Sequence, residues 1–118
     1  MTHPRIDHCA FGQMTINGKT FSSDLIIDTN GNVRDNWRRR QGHNLVPEDL
    51  GPLTDDTPEK LIIGTGVSGR MSVAESVREA CRARGIAVEA YPTAEAAQKF
   101  NEAAETGALV AAGFHLTC

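Results

Sequence analysis

Residues 60–91 read KLIIGTGVSGRMSVAESVREACRARGIAVEAY. The short apolar run Lys60 to Ile63 predicts a buried strand, and a glycine-rich loop follows it. Ser72-Val73-Ala74-Glu75 matches the capping box S-x-x-E, which predicts that a helix begins near the serine. Gly85 is a suitable helix C-cap, and Ile86 to Tyr91 predicts a second strand. This strand–helix–strand order favours two parallel strands joined by a right-handed crossover.

The carboxyl-terminal flank continues the same alternation. Thr93 can cap a second helix over Ala94 to Glu105, and Leu109 to Leu116 predicts a final strand. The second half of the chain therefore predicts a β-α-β-α-β unit.

The amino-terminal flank has a β pattern. An Asn17-Gly18 pair predicts a hairpin turn, and Asp24 to Ile27 and Val33 to Arg38 predict further strands. Residues 41–59 are rich in Gly, Pro, Asp and Thr and predict a long connection, with one helical turn at Pro47 to Leu50. Together the segments predict a single α/β domain, 1–118, with a mixed β-sheet, an N-terminal antiparallel β part and a C-terminal β-α-β-α-β part.

Composition narrows the class of protein. The chain has 118 residues, of which 40% are apolar and 23% charged, as is usual for one soluble globular domain. No apolar run approaches the ~20 residues that cross a membrane, and the amino terminus lacks a signal-peptide core, so we expect a cytoplasmic protein. Three widely spaced cysteines form neither a disulfide framework nor a zinc pattern, so no metal is predicted. We predict no cofactor either. The net charge of −3 argues against a nucleic-acid partner.

The loop Gly64-Thr65-Gly66-Val67-Ser68-Gly69 matches G-x-G-x-x-G, a pattern associated with dinucleotide binding. The match is weak, because the predicted helix begins only after the third glycine, away from where a pyrophosphate would lie. A second interpretation is a flexible connection in which glycines permit positive φ. In a third, backbone amides with Thr65, Ser68 and Arg70 hold a small anion or the carboxylate of a partner.

The second unusual segment places the single Trp37 before three consecutive arginines, Arg38, Arg39 and Arg40. One interpretation is a buried tryptophan on a solvated edge strand, and another is Arg39 stacked on Trp37. A functional interpretation is a protein interaction surface, because Trp and Arg are favoured at binding hot spots.

The histidines do not define a catalytic group. His43 lies in a polar segment, where a surface or structural histidine is the usual finding. It could act as a base only if folding brings Thr65 or Ser68 beside it. Along a strand, His115 and Cys118 point to opposite faces, so a thiol–imidazole pair is not expected. We therefore predict no catalytic residue.

Four blocks together resemble a known family. They are F-G-x-M-x-I-N-G (Phe11 to Gly18), W-R-R-R-x-G-H-x-L (Trp37 to Leu45), L-I-I-G-T-G (Leu61 to Gly66) and the final H-L-T-C. The chain resembles, over nearly its whole length, the small α/β proteins of the Mth-type domain-of-unknown-function family, which includes a mitochondrial complex I assembly factor. The resemblance implies a three-layer fold with a mixed sheet and no established enzyme activity.

The leading hypothesis from sequence is a non-enzymatic protein-binding module, monomeric or homodimeric, that serves as an accessory or assembly factor for a larger complex. Its candidate surface comprises Trp37, Arg38, Arg39, His43, Gly64, Thr65, Gly66 and Ser68. The alternative is a protein or enzyme that binds a small anion or a nucleotide through the Gly64–Gly69 loop.

Overall fold

The computed structural model describes residues 4–40 and 43–117. The strands are β1 (Ile6–Ala10), β2 (Gln13–Ile16), β3 (Lys19–Phe21), β4 (Leu25–Ile27), β5 (Val33–Arg34), β6 (Asn44–Leu45), β7 (Lys60–Thr65), β8 (Ser72–Val73), β9 (Ala87–Tyr91) and β10 (Val110–His115). The helices are α1 (Gly51–Thr54), which follows a 3-10 turn at Pro47–Asp49, α2 (Glu75–Ala83) and α3 (Thr93–Glu105). No helix in the described part of the chain is long and apolar enough to cross a membrane.

The central sheet is mixed, as predicted. Its five strands lie in the order β5-β4-β10-β7-β9. β7 pairs in parallel with both β10 and β9, whereas β10 pairs antiparallel with β4. The helices α2 and α3 make the two crossovers, which confirms the β-α-β-α-β unit. The register sets His115, at the end of β10, directly beside Thr65 of β7.

The amino-terminal strands form a separate antiparallel sheet in the order β1-β2-β3. Asn17 and Gly18, between β2 and β3, have φ values of 50° and 81°. Positive φ at both central residues fits the backbone twist of a hairpin turn, which is why Asn-Gly forms it readily. The predicted hairpin is therefore confirmed.

Two apolar cores cover the two faces of the central sheet, which gives the molecule three layers. Phe100 of α3 packs in the first core with Phe114 and with residues of β1 and β2. Val77 of α2 packs in the second core with Ala111 and with residues around α1. Because side chains alternate along a strand, Phe114 faces the first core and its neighbours Gly113 and His115 face the second.

The start of α2 differs from the prediction. The helix begins at Glu75 after Ala74, with no side-chain cap, so the predicted capping box at Ser72 is wrong. Ser72 and Val73 instead form β8, which pairs in parallel with β6. The amide of Ser72 donates to the carbonyl of His43, and that of Ala74 donates to Leu45. These strand bonds satisfy backbone donors that a cap would otherwise serve.

Two further boundaries differ from the sequence predictions. The strand predicted over Val33 to Arg38 ends at Arg34, because Asn36 adopts a φ of 55° and the amide of Trp37 donates to the carbonyl of Asp24. The chain then crosses the end of the sheet instead of continuing along its edge. Thr93 does not cap α3 but is its first residue, and its hydroxyl serves other partners.

Candidate functional site

A buried polar cluster lies at the carboxyl end of β10. Asp24 precedes β4, His115 ends β10, and Arg39 reaches both from the segment that crosses the sheet end. Asp24 Oδ2 is 2.7 Å from Arg39 Nη2 and 2.8 Å from His115 Nδ1. The side chains of Arg39 and Asp24 are only 4% and 18% exposed, so their charges interact with little screening by water, and the His115 side chain beside them is 6% exposed.

Asp24 holds the cluster together as an anion. Burial would raise its pKa, but hydrogen bonds from His115, from the amide of Leu116 and from Arg39, with the charge of Arg39, outweigh burial and lower the pKa. The amide of Leu116 donates to Oδ1 at 2.8 Å. The carboxylate therefore joins the start of β4 to the end of β10.

The contacts of His115 define the roles of its two ring nitrogens. Nδ1 lies 2.8 Å from Asp24 Oδ2, which can only accept, and 3.1 Å from Arg39 Nη2, which can only donate. The shorter contact with the carboxylate favours the tautomer in which Nδ1 carries the proton and donates it to Asp24. In the neutral ring, Nε2 then carries the lone pair. Nε2 is buried and has no hydrogen-bond partner among residues 4–40 and 43–117. The contact at Nδ1 thus fixes the orientation of the ring, while the lone pair of Nε2 accepts no hydrogen bond.

Trp37 packs between Gly113 of β10 and Arg39 of the cluster. Its indole lies over Gly113, where an added Cβ would be 2.8 Å from two ring carbons. The guanidinium of Arg39 lies 4.7 Å from the centre of the indole ring, within cation–π range. The stacking of Arg39 on Trp37 predicted as one option is thus present. Trp37 is half-buried against the second core, not on an edge strand.

An open cavity of about 570 Å³ lies above this stack. We call it the arginine cleft; it is lined by Trp37, Arg38, Arg39, Arg40, Glu48 and Asp49. Asp49 is buried, and its carboxylate accepts from the amides of Arg40 and Val46. The rim of the cleft therefore consists of the exposed side chains of Arg38, Arg40 and Glu48.

His43 lies beside the cluster rather than in the core. Its ring centre is 5.5 Å from that of His115, with the ring planes at 70°. Its carbonyl accepts from Ser72, which places the residue where β6 meets β8. The structure thus brings together two histidines that lie far apart in the chain.

The glycine loop uses most of its backbone donors internally. The amide of Val67 donates to Thr117, that of Gly69 to Gly66, and that of Met71 to Thr65. Because β8 lies between this loop and α2, the loop does not open directly onto the positive end of a helix. This geometry favours the interpretation of the loop as a structural connection.

The hydroxyl of Thr93 forms hydrogen bonds with both the glycine loop and the end of β10. Its hydroxyl accepts from the amide of Gly66 at 2.8 Å and donates to the carbonyl of His115 at 2.5 Å. Gly64 permits this close approach, because an added Cβ would lie 3.0 Å from Thr93 Oγ1 and 2.7 Å from Phe114. Thr93 therefore helps to position both the glycine loop and the polar cluster.

The predicted residues divide into three groups. Trp37, Arg39 and His43 meet around His115, and Arg38 lies on the rim of the same region. Gly64, Thr65 and Gly66 lie beside the end of β10 through Thr93 and the strand register. Ser68 is exposed in the loop, and Cys118 lies outside the described residues.

Sequence reasoning used Asp24 only as the start of a strand and Thr93 only as a helix cap, and it named neither these two nor Gly113 as site residues. It considered His115 only as a partner for Cys118. A glycine within an apolar strand can mark the close approach of another group, so Gly113 carried a usable signal. A single aspartate before a strand carries none.

Comparison with known proteins shows the same fold across nearly the whole chain. A solved structure named MT938 is 32% identical and superposes with a TM-score of 0.80, covering 98% of this chain and 99% of that one. A conserved hypothetical protein from Pyrococcus horikoshii is 27% identical, with a TM-score of 0.82 and coverage of 97% and 99%. A Bordetella pertussis protein described as a Mth938-like domain is 18% identical, with a TM-score of 0.76 and coverage of 96% and 85%.

The family assignment follows from a match at the level of the family model. The model for proteins of unknown function DUF498/DUF598 matches residues 6–115, which include every strand and helix described above. This match confirms the resemblance noted from the sequence blocks. The chain belongs to the DUF498/DUF598 family, and its fold is similar to that of a Mth938-like domain.

Proposed function

We propose that this protein is a non-enzymatic protein-binding module, an accessory or assembly factor that docks an acidic segment of its partner on the arginine cleft. It would act in the cytoplasm as a monomer or homodimer. The observation that carries the proposal is Arg38, an exposed cation on an open cleft. Arg38 has neither a hydrogen bond nor an ion pair among the residues that the structure describes.

The floor of the cleft suits a binding hot spot. Trp37 is fixed against Gly113, and Arg39 is fixed by Asp24 and stacked on the indole. Trp37 and Arg39 would lose little side-chain entropy when a partner binds, because both side chains are already held in one conformation. Tryptophan and arginine are the residues most enriched at such sites.

The charges on the rim favour an acidic partner. Arg40 Nη1 lies 3.7 Å from Glu48, and both side chains are more than half exposed, so this pair contributes little stability. Arg40 can therefore exchange Glu48 for a carboxylate of the partner. The lining has three arginines against Glu48 and Asp49, a formal charge of +1 on a chain of net charge −3, and the exposed Arg38 would orient an acidic segment during encounter.

The hydroxyl groups near His115 support binding over catalysis. Thr65 donates its hydroxyl to the carbonyl of Tyr91, and Thr93 donates to the carbonyl of His115. Both are thus committed to backbone partners. Nε2 of His115 therefore has no hydroxyl or thiol within hydrogen-bond distance in the described part of the chain, and so no nucleophile that it could activate.

Site-directed photocrosslinking in cells tests the proposal. A photoreactive phenylalanine analogue replaces Glu48, which is exposed on the rim of the cleft and leaves Arg38 in place. A matched control carries it at Gln98, which is exposed on α3 over the opposite face of the sheet. Proteins captured at position 48 but not at 98 are then purified. Their affinity for the wild type and for Arg38→Glu is measured as a function of salt concentration.

The proposal predicts a partner captured at position 48 and not at position 98, whose binding weakens with salt and weakens at least tenfold with Arg38→Glu. Equal capture at both positions would contradict it. Binding that is insensitive to both salt and Arg38→Glu would contradict it as well.

A further inference from the structure

We propose that His43 and His115 form a binding site for a divalent transition-metal ion such as Zn²⁺. This inference does not rest on the docking function. It starts from Nε2 of His115, which is buried, basic in the neutral ring, and without a hydrogen-bond partner in the described part of the chain. A buried nitrogen that is oriented but left unpaired costs stability unless something binds it.

The contact between Asp24 and His115 has the form of the outer shell of a metal site. Histidines that bind metals usually donate their other ring N–H to a carboxylate, which fixes the tautomer and makes the coordinating nitrogen more basic. His115 Nδ1 donates to Asp24 Oδ2 at 2.8 Å, which leaves Nε2 as the coordinating atom.

The second imidazole lies at a suitable distance. Two imidazoles on one tetrahedral zinc, with Zn–N of about 2.0–2.1 Å, have ring centres about 5 Å apart. The centres of His43 and His115 are 5.5 Å apart. His43 is exposed, so a small rotation of its ring can close the difference while His115 stays fixed.

The surrounding charges allow a cation. Arg39 Nη2 lies 3.1 Å from His115 Nδ1, on the side of the ring away from Nε2. Its charge is balanced by Asp24, with which it forms an ion pair at 2.7 Å. No third His, Cys, Asp or Glu converges with the two histidines within residues 4–40 and 43–117, so water would complete the coordination. Such an ion would be exchangeable and open to an external ligand.

Titration of the purified protein with Co²⁺, followed by competition with Zn²⁺, tests the site. The absorption of Co²⁺ in the visible range reports coordination by the protein. His43→Ala removes one ligand from an exposed position. His8→Ala, on β1, is the matched control because His8 is also exposed and belongs to another sheet. Asp24→Asn tests the outer shell.

The proposal predicts a saturable Co²⁺ spectrum that Zn²⁺ abolishes, that His43→Ala eliminates and that His8→Ala leaves unchanged. Asp24→Asn should weaken metal affinity about 10–100-fold. Absence of a spectrum in the wild type would overturn the proposal. So would equal binding by His43→Ala, or loss of binding in His8→Ala, since either would place the ion elsewhere.

Discussion

The indole of Trp37 occupies the space that a side chain on Gly113 would need: an added Cβ would lie 2.8 Å from two of its ring carbons. The two residues lie far apart in the chain, yet each fixes the other. Without a side chain at 113, the outer edge of the six-membered ring can approach β10 closely. The position of the ring in turn fixes Arg39, which stacks on it.

Gly113→Ala is expected to destabilise the protein by about 1–3 kcal/mol, because the indole must move or the strand must shift. Urea unfolding measures the change, and tryptophan fluorescence should report greater exposure of the ring. Gly51→Ala is the matched control, since nothing lies within 4 Å of its added Cβ. Equal stability of the two variants would show that the indole is not tightly seated.

Thr93→Val should destabilise the protein by about 1–3 kcal/mol. The shape of the side chain is retained, but the amide of Gly66 loses its acceptor and the carbonyl of His115 loses its donor. Thermal unfolding checks the loss, and Thr93→Ser should restore most of it because serine keeps the hydroxyl. If serine and valine behave alike, the hydroxyl bonds are not the source of stability.

Asp24→Asn should lower stability by about 3 kcal/mol at neutral pH, because Arg39 is left buried without its anionic partner. The folded-state pKa of Asp24 is lower than the unfolded value of about 3.9. Its stabilising contribution is therefore present above that value and is lost as the pH falls through the lower folded-state pKa.

The pH dependence of this difference is the sharper measurement. Urea unfolding of the wild type and Asp24→Asn should show a gap that is widest at neutral pH and narrows below about pH 4. Asp55→Asn is the control, because the Asp55 side chain is exposed and has no hydrogen bond or ion pair among the described residues. A gap that stays constant with pH would show that the charge of Asp24 is not what stabilises the cluster.

Asn101 joins α3 to β1, and its substitution should loosen the amino-terminal sheet. Its side-chain amide donates to the carbonyl of Ile6 and its oxygen accepts from the amide of Ile6, at 2.9 and 3.0 Å. Asn101→Ala should accelerate hydrogen exchange in β1 while β10 stays protected. Gln98→Ala, exposed on the same helix, should change neither strand. Faster exchange in both strands would indicate global destabilisation instead.

The fold was predictable where local signals and the global arrangement agree. The Asn17-Gly18 turn and the alternation of short apolar strands with amphipathic helices all survive in the structure. The start of α2 was not predictable, because Ser72 is drawn into pairing with Asn44, a tertiary contact that overrides a local capping pattern.

The candidate site was only half predictable, for a related reason. Trp37 and Arg39 stand out by residue type and adjacency, and their stacking follows from it. Asp24 and His115, which contact Arg39 in the cluster, lie at the ends of two strands that become neighbours only in the folded sheet. No spacing rule connects residues whose proximity is created by topology.

The position of β10 has a consequence for how the chain folds during synthesis. Within residues 4–40 and 43–117 it is the last strand in chain order, yet it lies between β4 and β7 at the middle of the sheet. Until it emerges from the ribosome, those two strands have no common neighbour, and each presents an unpaired edge. Until β10 pairs with both strands, the nascent chain therefore has two incomplete half-sheets whose open edges can pair with other chains. Pairing of β10 with β4 and β7 removes this risk of aggregation.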